Sequence, residues 1–198
     1  ASQTYQNASQ IVVHPYLTSK GLDNAEGLKI IKDQLLVPLF DLVTGNIENL
    51  QRIYLNGEKR FLKNGRVKGL CCPCGLLNMQ AEWPEQLTRV FICEGYATAA
   101  SVYQMTQQPV LAAMNAGNLL AVGKAVKAKW PNAEIVFAGD DDYSTEQKRG
   151  INPGKSKASE AAHELDAQVS FPPFKLEHKL AGLTDWNDYW LDSNRSAA

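Results

Sequence analysis

The sequence predicts an α/β protein in two parts. A parallel sheet flanked by helices spans residues 89–192, and a small, mainly antiparallel α+β unit precedes it over residues 1–88. Three observations lead to this reading. Beyond residue 88, short apolar runs rich in β-branched residues alternate with helical segments, the pattern of a parallel sheet covered on both faces. Before it, short apolar runs are separated by Asn56-Gly57 and Asn64-Gly65, pairs that favour hairpin turns. The length, 198 residues, suits one sizeable α/β domain with a smaller companion.

The elements follow in order. Residues 1–10 are polar and expected to be loose. Residues 14–21 read as a short helix or turn ending at Gly21, and residues 27–34 as another helical turn. Apolar runs at 35–40, 47–54, 60–62 and 67–72 are the strands of the antiparallel unit. Residues 76–88 form a connection in which Pro84 bars a long helix. Residues 89–93 are a strand and 97–107 a helix. A second strand at 110–114 leads to a helix at 119–130, with Asn118 as its N-cap. A third strand at 134–138 precedes a helix at 155–165, and a fourth at 169–171 is closed by Pro172-Pro173. Residues 185–191 suit a final short helix, and the patternless residues 193–198 a disordered tail.

Composition narrows the classes. Apolar residues make up 44% and charged residues 21%, ordinary values for a globular protein. A net charge of −1 excludes a protein that coats nucleic acid by bulk electrostatics, while leaving room for a local basic groove. No run of about 18 apolar residues is present, so no membrane span is expected. Cys71, Cys72 and Cys74 look like half a zinc site, but no second Cys/His pair stands at a suitable spacing. With Cys93 they are read as ordinary thiols. Free thiols and the lack of a visible signal peptide point to a reducing, cytoplasmic location. The first residue is Ala1, so a processed product or an excised fragment is expected.

The chemistry centres on Asp140-Asp141-Asp142, which follow the apolar run 135–138 and Gly139. Three carboxylates thus emerge at the C-terminal end of a buried strand, the edge where open α/β sheets bind ligands. Adjacent carboxylates repel one another, and their clustering is tolerable when they are solvated or share a cation. Glu94-Gly95 ends the first strand of the same sheet at the same edge, and the glycine would let the backbone turn sharply. Read alone, Glu94 equally suits an acid favoured by a helix N-terminus. Neighbouring strands lie about 4.8 Å apart, so Glu94 can converge with Asp140 and Asp142, while alternation turns Asp141 elsewhere. Hard oxygen donors without nearby His or thiolate imply Mg²⁺ or Mn²⁺, ions that serve phosphate chemistry. No G-x-G-x-x-G turn follows the 89–93 strand, which excludes a dinucleotide site of that kind.

These residues carry a resemblance. Glu94-Gly95-Tyr96-Ala97-Thr98-Ala99-Ala100-Ser101 and Gly139-Asp140-Asp141-Asp142 resemble the two signature motifs of the Toprim domain. The first is most similar to the form found in primases of conjugative plasmids and phages. Ala116-Gly117-Asn118-Leu119, Asn152-Pro153-Gly154 and Asp185-Trp186-Asn187-Asp188 agree in order and spacing. Upstream, Leu36-Val37-Pro38-Leu39, Asp41, Gly45, Leu50-Gln51-Arg52-Ile53, Gly57 and Lys59-Arg60-Phe61-Leu62 resemble the small subdomain that precedes Toprim in such primases. The resemblance implies a Toprim-like fold and a DNA primase catalytic core. That activity is metal-dependent, template-directed synthesis of short oligonucleotide primers on single-stranded DNA, for plasmid or phage replication. Carried over, Glu94, Asp140 and Asp142 are the catalytic, metal-holding acids. The middle residue of the second motif is often Asn or Gly in the family, so Asp141 is a departure. Asp185 and Asp188 either add acids to the metal site or, for Asp185, cap a short helix.

Arg52, Lys59, Arg60, Lys63, Arg66 and Lys68 cluster in the first half. A solvated hairpin face accounts for Lys63 and Lys68. Beside an acidic phosphate-handling site, Arg52, Lys59 and Arg60 are read as contacts to template or nucleotide. Gly95, Asn118 and Lys155 complete the expected nucleotide and DNA contacts, and Tyr96 and Tyr143 are read as packing or base-contacting rings. Expected partners are a single-stranded DNA template, nucleoside triphosphates and a replicative helicase, separate or as a domain of the same polypeptide. Two rivals use the same residues: a Toprim-type nuclease and a non-catalytic nucleic-acid-binding replication module. The basic upstream unit disfavours the first, and the intact acids disfavour the second. No zinc template-recognition module or P-loop is visible, so the chain is expected to be part of a larger protein or a minimal enzyme that depends on partners.

Overall fold

The computed structural model describes residues 1–11, 13–22, 27–75 and 83–195, and ten strands within them form one continuous sheet. The chain opens with α1 (Ser2–Gln6), the two-residue β1 (Ser9–Gln10) and α2 (Pro15–Ser19). Residues 1–10 are therefore not loose. Tyr5 is buried, and its hydroxyl donates to the Gly27 carbonyl at 2.6 Å. α2 stands where the sequence predicts it: Pro15 presets the first helical φ, and His14 Nδ1 accepts from the Tyr16 amide at 3.2 Å. The chain leaves it through Gly21 in the left-handed region (φ 61°).

The helical turn expected at 27–34 is instead the strand β2 (Lys29–Ile31), which pairs antiparallel with β3 (Gln34–Asp41). Three residues are too few to show a period, and the two β-branched isoleucines suit the strand. Residues 23–26 lie outside the described ones. β3, β4 (Ile47–Ile53) and β5 (Lys59–Phe61) form the antiparallel meander, with Gly57 at φ 81° in the β4–β5 turn. The last strand of this half, β6 (Leu70–Cys74), returns to the end of β3, where Phe40 opposes Cys71.

The second half alternates as predicted. It contains β7 (Arg89–Cys93), α3 (Tyr96–Thr106), β8 (Val110–Ala112), a 3-10 turn (Ala116–Asn118), α4 (Leu119–Lys129) and β9 (Glu134–Ala138). Then come α5 (Tyr143–Arg149), α6 (Pro153–Glu164), β10 (Gln168–Ser170), α7 (Leu176–Leu180) and α8 (Trp186–Arg195). α5 and α7 were not expected. Both are short, and Leu176 and Leu180 are exposed, so α7 shows no buried apolar stripe in its sequence. α8 runs through Arg195, so residues 193–195 are helical where a disordered tail was expected, and 196–198 lie outside the described residues. Of the predicted 76–88 connection, residues 76–82 also lie outside them.

Strands β8, β7, β9 and β10 are parallel neighbours in that order. β6 pairs antiparallel with β8, so the sheet runs unbroken through the boundary expected near residue 88. After β7 the chain places β8 on one side and β9 on the other. The order reverses there, and the crevice beyond the C-terminal ends of β7 and β9 is the ligand-binding switch point of such sheets. α3 and α8 pack on one face over a core that includes Leu17, Leu35, Cys93, Ala99 and Val110. α4 and α6 cover the other face over Val90, Ile92, Val122, Phe137 and Ala158. Burial on both faces explains why the β7 and β9 sequences read as continuous apolar runs rather than alternating ones.

The four cysteines are free and buried in β6 and β7. Burial pushes their thiols up, that of Cys74 to about 12, the behaviour of core-packing side chains rather than reactive thiolates. Among the described residues, no helix is long and apolar enough to cross a membrane.

Candidate metal and nucleotide site

A cavity of about 250 Å³ opens at the switch point. Glu94, Asp140 and Asp185 line it, together with Lys59, Lys20 and the start of α3 at Gly95, Ala97 and Thr98. The register explains the first two. Cys93 pairs with Ala138, so the residues that follow each strand leave the sheet side by side. Asp185 arrives from elsewhere, at the start of α8, which packs along α3. Lys59 comes from the first half, carried by β5, and Lys20 follows α2.

The acids crowd one another. Burial is the main cause that pushes the Asp140 carboxyl up to about 8, and Glu94, Asp185, Asp142 and Asp188 add to it in turn. Burial likewise raises Glu94, reinforced by Asp142 and opposed by a hydrogen bond from the Ala116 amide and by Lys59. Asp185 is raised by burial and by Asp188. Lys59 is itself held below the usual lysine value by burial, although Asp185, Glu94 and Asp140 pull the other way. Its Nζ lies 5.1 Å from the centroid of the Tyr16 ring.

The donor set suits a divalent cation. Asp140 Oδ1 is buried without a hydrogen-bond partner, a position that calls for a cation or a proton. The acids supply only hard oxygen donors, and their mutual repulsion falls when a divalent ion is bound. Among the described residues no three or more His, Cys, Asp or Glu side chains are already gathered closely enough to hold an ion. Glu94, Asp140 and Asp185 line the cavity and could hold an ion there; Asp142 does not line it, and could join them only from beside Asp140.

The other predicted residues take different places. Asp142 Oδ2 accepts from the Gly154 amide at 2.8 Å, and the Asp142 amide donates to Asn152 Oδ1 at 3.0 Å, so the acidic turn docks on the start of α6. A Cβ on Gly154 would stand 2.7 Å from the Asp140 carbonyl oxygen and 3.0 Å from Asp142 Oδ2. This close approach is what the Asn152-Pro153-Gly154 motif serves. Asp188 accepts from the Thr184 amide at 2.9 Å, while its own amide donates to Asp185 Oδ1 at 2.8 Å. Asp185 thus closes the start of α8, and it also lines the cavity. Asp188 is engaged with backbone amides and does not line it.

Alternation along β4 and β5 separates the basic residues. Ile53 opposes Lys59 and Gln51 opposes Phe61, and Gln51 and Lys59 face the cavity. Arg52 opposes Arg60 on the other side of the ribbon, where Arg60 pairs with Glu58 at 2.7 Å and its guanidinium lies over the Tyr54 ring. Arg66 is occupied by Asp41 and Glu48. Lys155 does not reach the cavity: its Nζ lies 3.0 Å from Asp141 Oδ1.

Two glycine and asparagine readings change. Gly95 has φ −113°, which any residue adopts, so no sharp turn requires glycine there; it stands at the N-cap of α3, on the cavity wall. Asn118 does not cap α4 with its side chain. Its Nδ2 donates to the carbonyls of Val67, Leu70 and Ala113, and its Oδ1 accepts from Gly69, so it locks the loop before β6 onto the end of β8. Sequence reasoning missed Tyr16, Lys20, Gln51 and Lys179. For Tyr16 and Lys20 a signal existed: four positions apart in a helical segment, they share a face.

Fold and site together define a known class. A model of the Toprim domain matches residues 89–195, more than half of the chain, and the chain belongs to that family. It is 38% identical over 164 residues to a DNA primase TraC of Escherichia coli, covering 81% of this chain and 15% of that protein. A second DNA primase TraC of Escherichia coli is 36% identical over 162 residues, with 81% and 11% covered. The chain therefore spans less than a sixth of the length of these relatives. The crystal structure of the primase fragment of the bacteriophage T7 primase-helicase protein shares the fold, with a TM-score of 0.56, 16% identity, and coverage of 85% of this chain and 62% of that one.

Proposed function

We propose that the chain is the catalytic core of a DNA primase, which joins nucleotides on a single-stranded DNA template into short primers. The observation that carries this reading is the cavity at the β7–β9 switch point, where Glu94, Asp140 and Asp185 face Lys59 and Lys20. The similarity to DNA primase TraC supports it, because 162–164 matched residues extend beyond the Toprim half into the lysine-bearing one. A bound Mg²⁺ or Mn²⁺ would neutralise triphosphate charge and stabilise the attacking and leaving oxygens. Asp140 and Asp142 would hold it, with Glu94 and Asp185 completing the set. Lys59 and Lys20 face these acids across the cavity, where they can bind and orient phosphates. Arg60 and Arg52, on the opposite side of the ribbon, suit a template backbone passing outside. A helicase, as a partner or as another part of a longer polypeptide, fits the same reading.

The test is primer synthesis from nucleoside triphosphates on single-stranded DNA, with Glu94→Gln as the critical variant. Glu94→Gln keeps the shape and removes one negative charge, and it is expected to lower synthesis by roughly 100-fold while leaving the circular dichroism unchanged. Unaltered synthesis would remove Glu94 from the site. Cleavage of the template in place of extension would favour a nuclease.

A further inference from the structure

The middle carboxylate of the acidic turn is built into the protein rather than into the cavity. Asp141 is 1% exposed. Its Oδ1 accepts from Asn152 Nδ2 at 2.9 Å and lies 3.0 Å from Lys155 Nζ, while its Oδ2 lies 2.8 Å from Lys179 Nζ. Its amide donates to the Thr184 carbonyl at 2.7 Å. Lys155 belongs to the first turn of α6, Lys179 to α7, and Thr184 precedes Asp185. One residue thereby ties the turn to three other segments, and its two neighbours in sequence are acids of the candidate site.

We infer that Asp141 is a positioning residue: by drawing in Lys155 and Lys179 it fixes the turn so that Asp140 and Asp142 are presented to the cation and Asp185 is held beside them. This rests on reading those acids as the cation ligands of a primase. Two lysines on one carboxylate leave a positive charge in excess behind the site. Were Asp141 merely a nearby negative charge, the lysines would oppose cation binding, and removing them would tighten it. A clamp gives the opposite sign, because removing the lysines releases the turn.

That sign is the test. Mn²⁺ alone is titrated against the wild-type chain, Asp141→Asn, Lys155→Met, Lys179→Met and the double lysine variant, reading free Mn²⁺ by electron paramagnetic resonance at a temperature where each is folded. Residues that orient metal ligands from behind typically change affinity by 10–100-fold. Asp141→Asn and the double lysine variant are expected to bind roughly 10-fold more weakly, and each single lysine variant about 2–3-fold more weakly. Unchanged or tighter binding in the double lysine variant overturns the inference, as does wild-type affinity in Asp141→Asn. Should Asp141→Asn fail to fold, the single lysine variants, whose side chains are partly exposed, still give the sign. Primer synthesis by the same proteins separates the two readings. A wild-type chain that binds Mn²⁺ but makes no primers counts against the primase and leaves the clamp standing; one that binds no Mn²⁺ overturns both.

Discussion

Asp140→Asn is expected to reduce primer synthesis by ~100-fold or more while making the metal-free protein more stable. The second half of that result follows from the proton. In the unfolded chain Asp140 ionises near pH 4, whereas the folded, metal-free protein holds its proton up to about pH 8. Between those values the folded state binds the extra proton, so this group's contribution to stability is lost as pH rises through that window. An amide has no charge to bury, and allowing for relaxation of the cluster its gain at pH 8 is on the order of 2–4 kcal/mol. Melting curves in a chelator should therefore show the variant several degrees above the wild type at pH 8 and level with it near pH 4. Added Mn²⁺ should raise the wild-type Tm and leave the variant nearly unmoved, since only the former binds it well. Equal melting at both pH values would contradict the environment described for Asp140.

Asn118→Ala should give a large loss of stability. The amide joins four backbone groups from 2.7 to 3.1 Å, and the residue is 3% exposed. Truncation removes the side-chain partner of Gly69 N–H and of the Leu70 and Ala113 carbonyls, while the Val67 carbonyl still accepts from the Leu70 amide. Unsatisfied buried groups cost about 1–3 kcal/mol each, and with partial access of water a total of about 3–5 kcal/mol is expected. Urea unfolding measures it, and a midpoint shift worth less than about 1 kcal/mol would show that the loop before β6 re-forms its bonds elsewhere.

The contrast between these two residues shows what the sequence makes legible. Glu94 and Asp140 were visible because each ends an apolar run, and parallel neighbours bring such ends together automatically. Asp185 needed its D-aromatic-N-D motif, since nothing in local periodicity tells that α8 packs along α3. Asn118 was placed correctly at the head of a helix and given the wrong partners, because a side-chain amide that bonds across 48 to 51 residues leaves no local trace. The ion pair of Lys155 with Asp141, across 14 residues, is equally invisible to local pattern. Lys59 and Arg60 looked equivalent as a basic pair, and only the strand's twofold alternation assigns them to opposite sides. The early elements were lost for a different reason: α1, β1 and β2 are two to five residues long, below the length at which a period can be read.

The strand β6 has a bearing on which piece of this chain can stand alone. It hydrogen-bonds to β3 on one side and to β8 on the other, and the residues it covers on β8, Val110 to Ala112, are completely buried. A polypeptide cut back to residues 89–195 would keep every carboxylate of the candidate site yet leave β8 with a bare apolar edge, the kind of surface that recruits strands from other molecules. The smallest soluble form of this Toprim unit must therefore carry β6 with it, and β6 in turn brings the meander that bears Lys59. Acidic and basic walls are thus inherited as one piece, and neither can be exchanged for a foreign counterpart without first supplying a substitute strand.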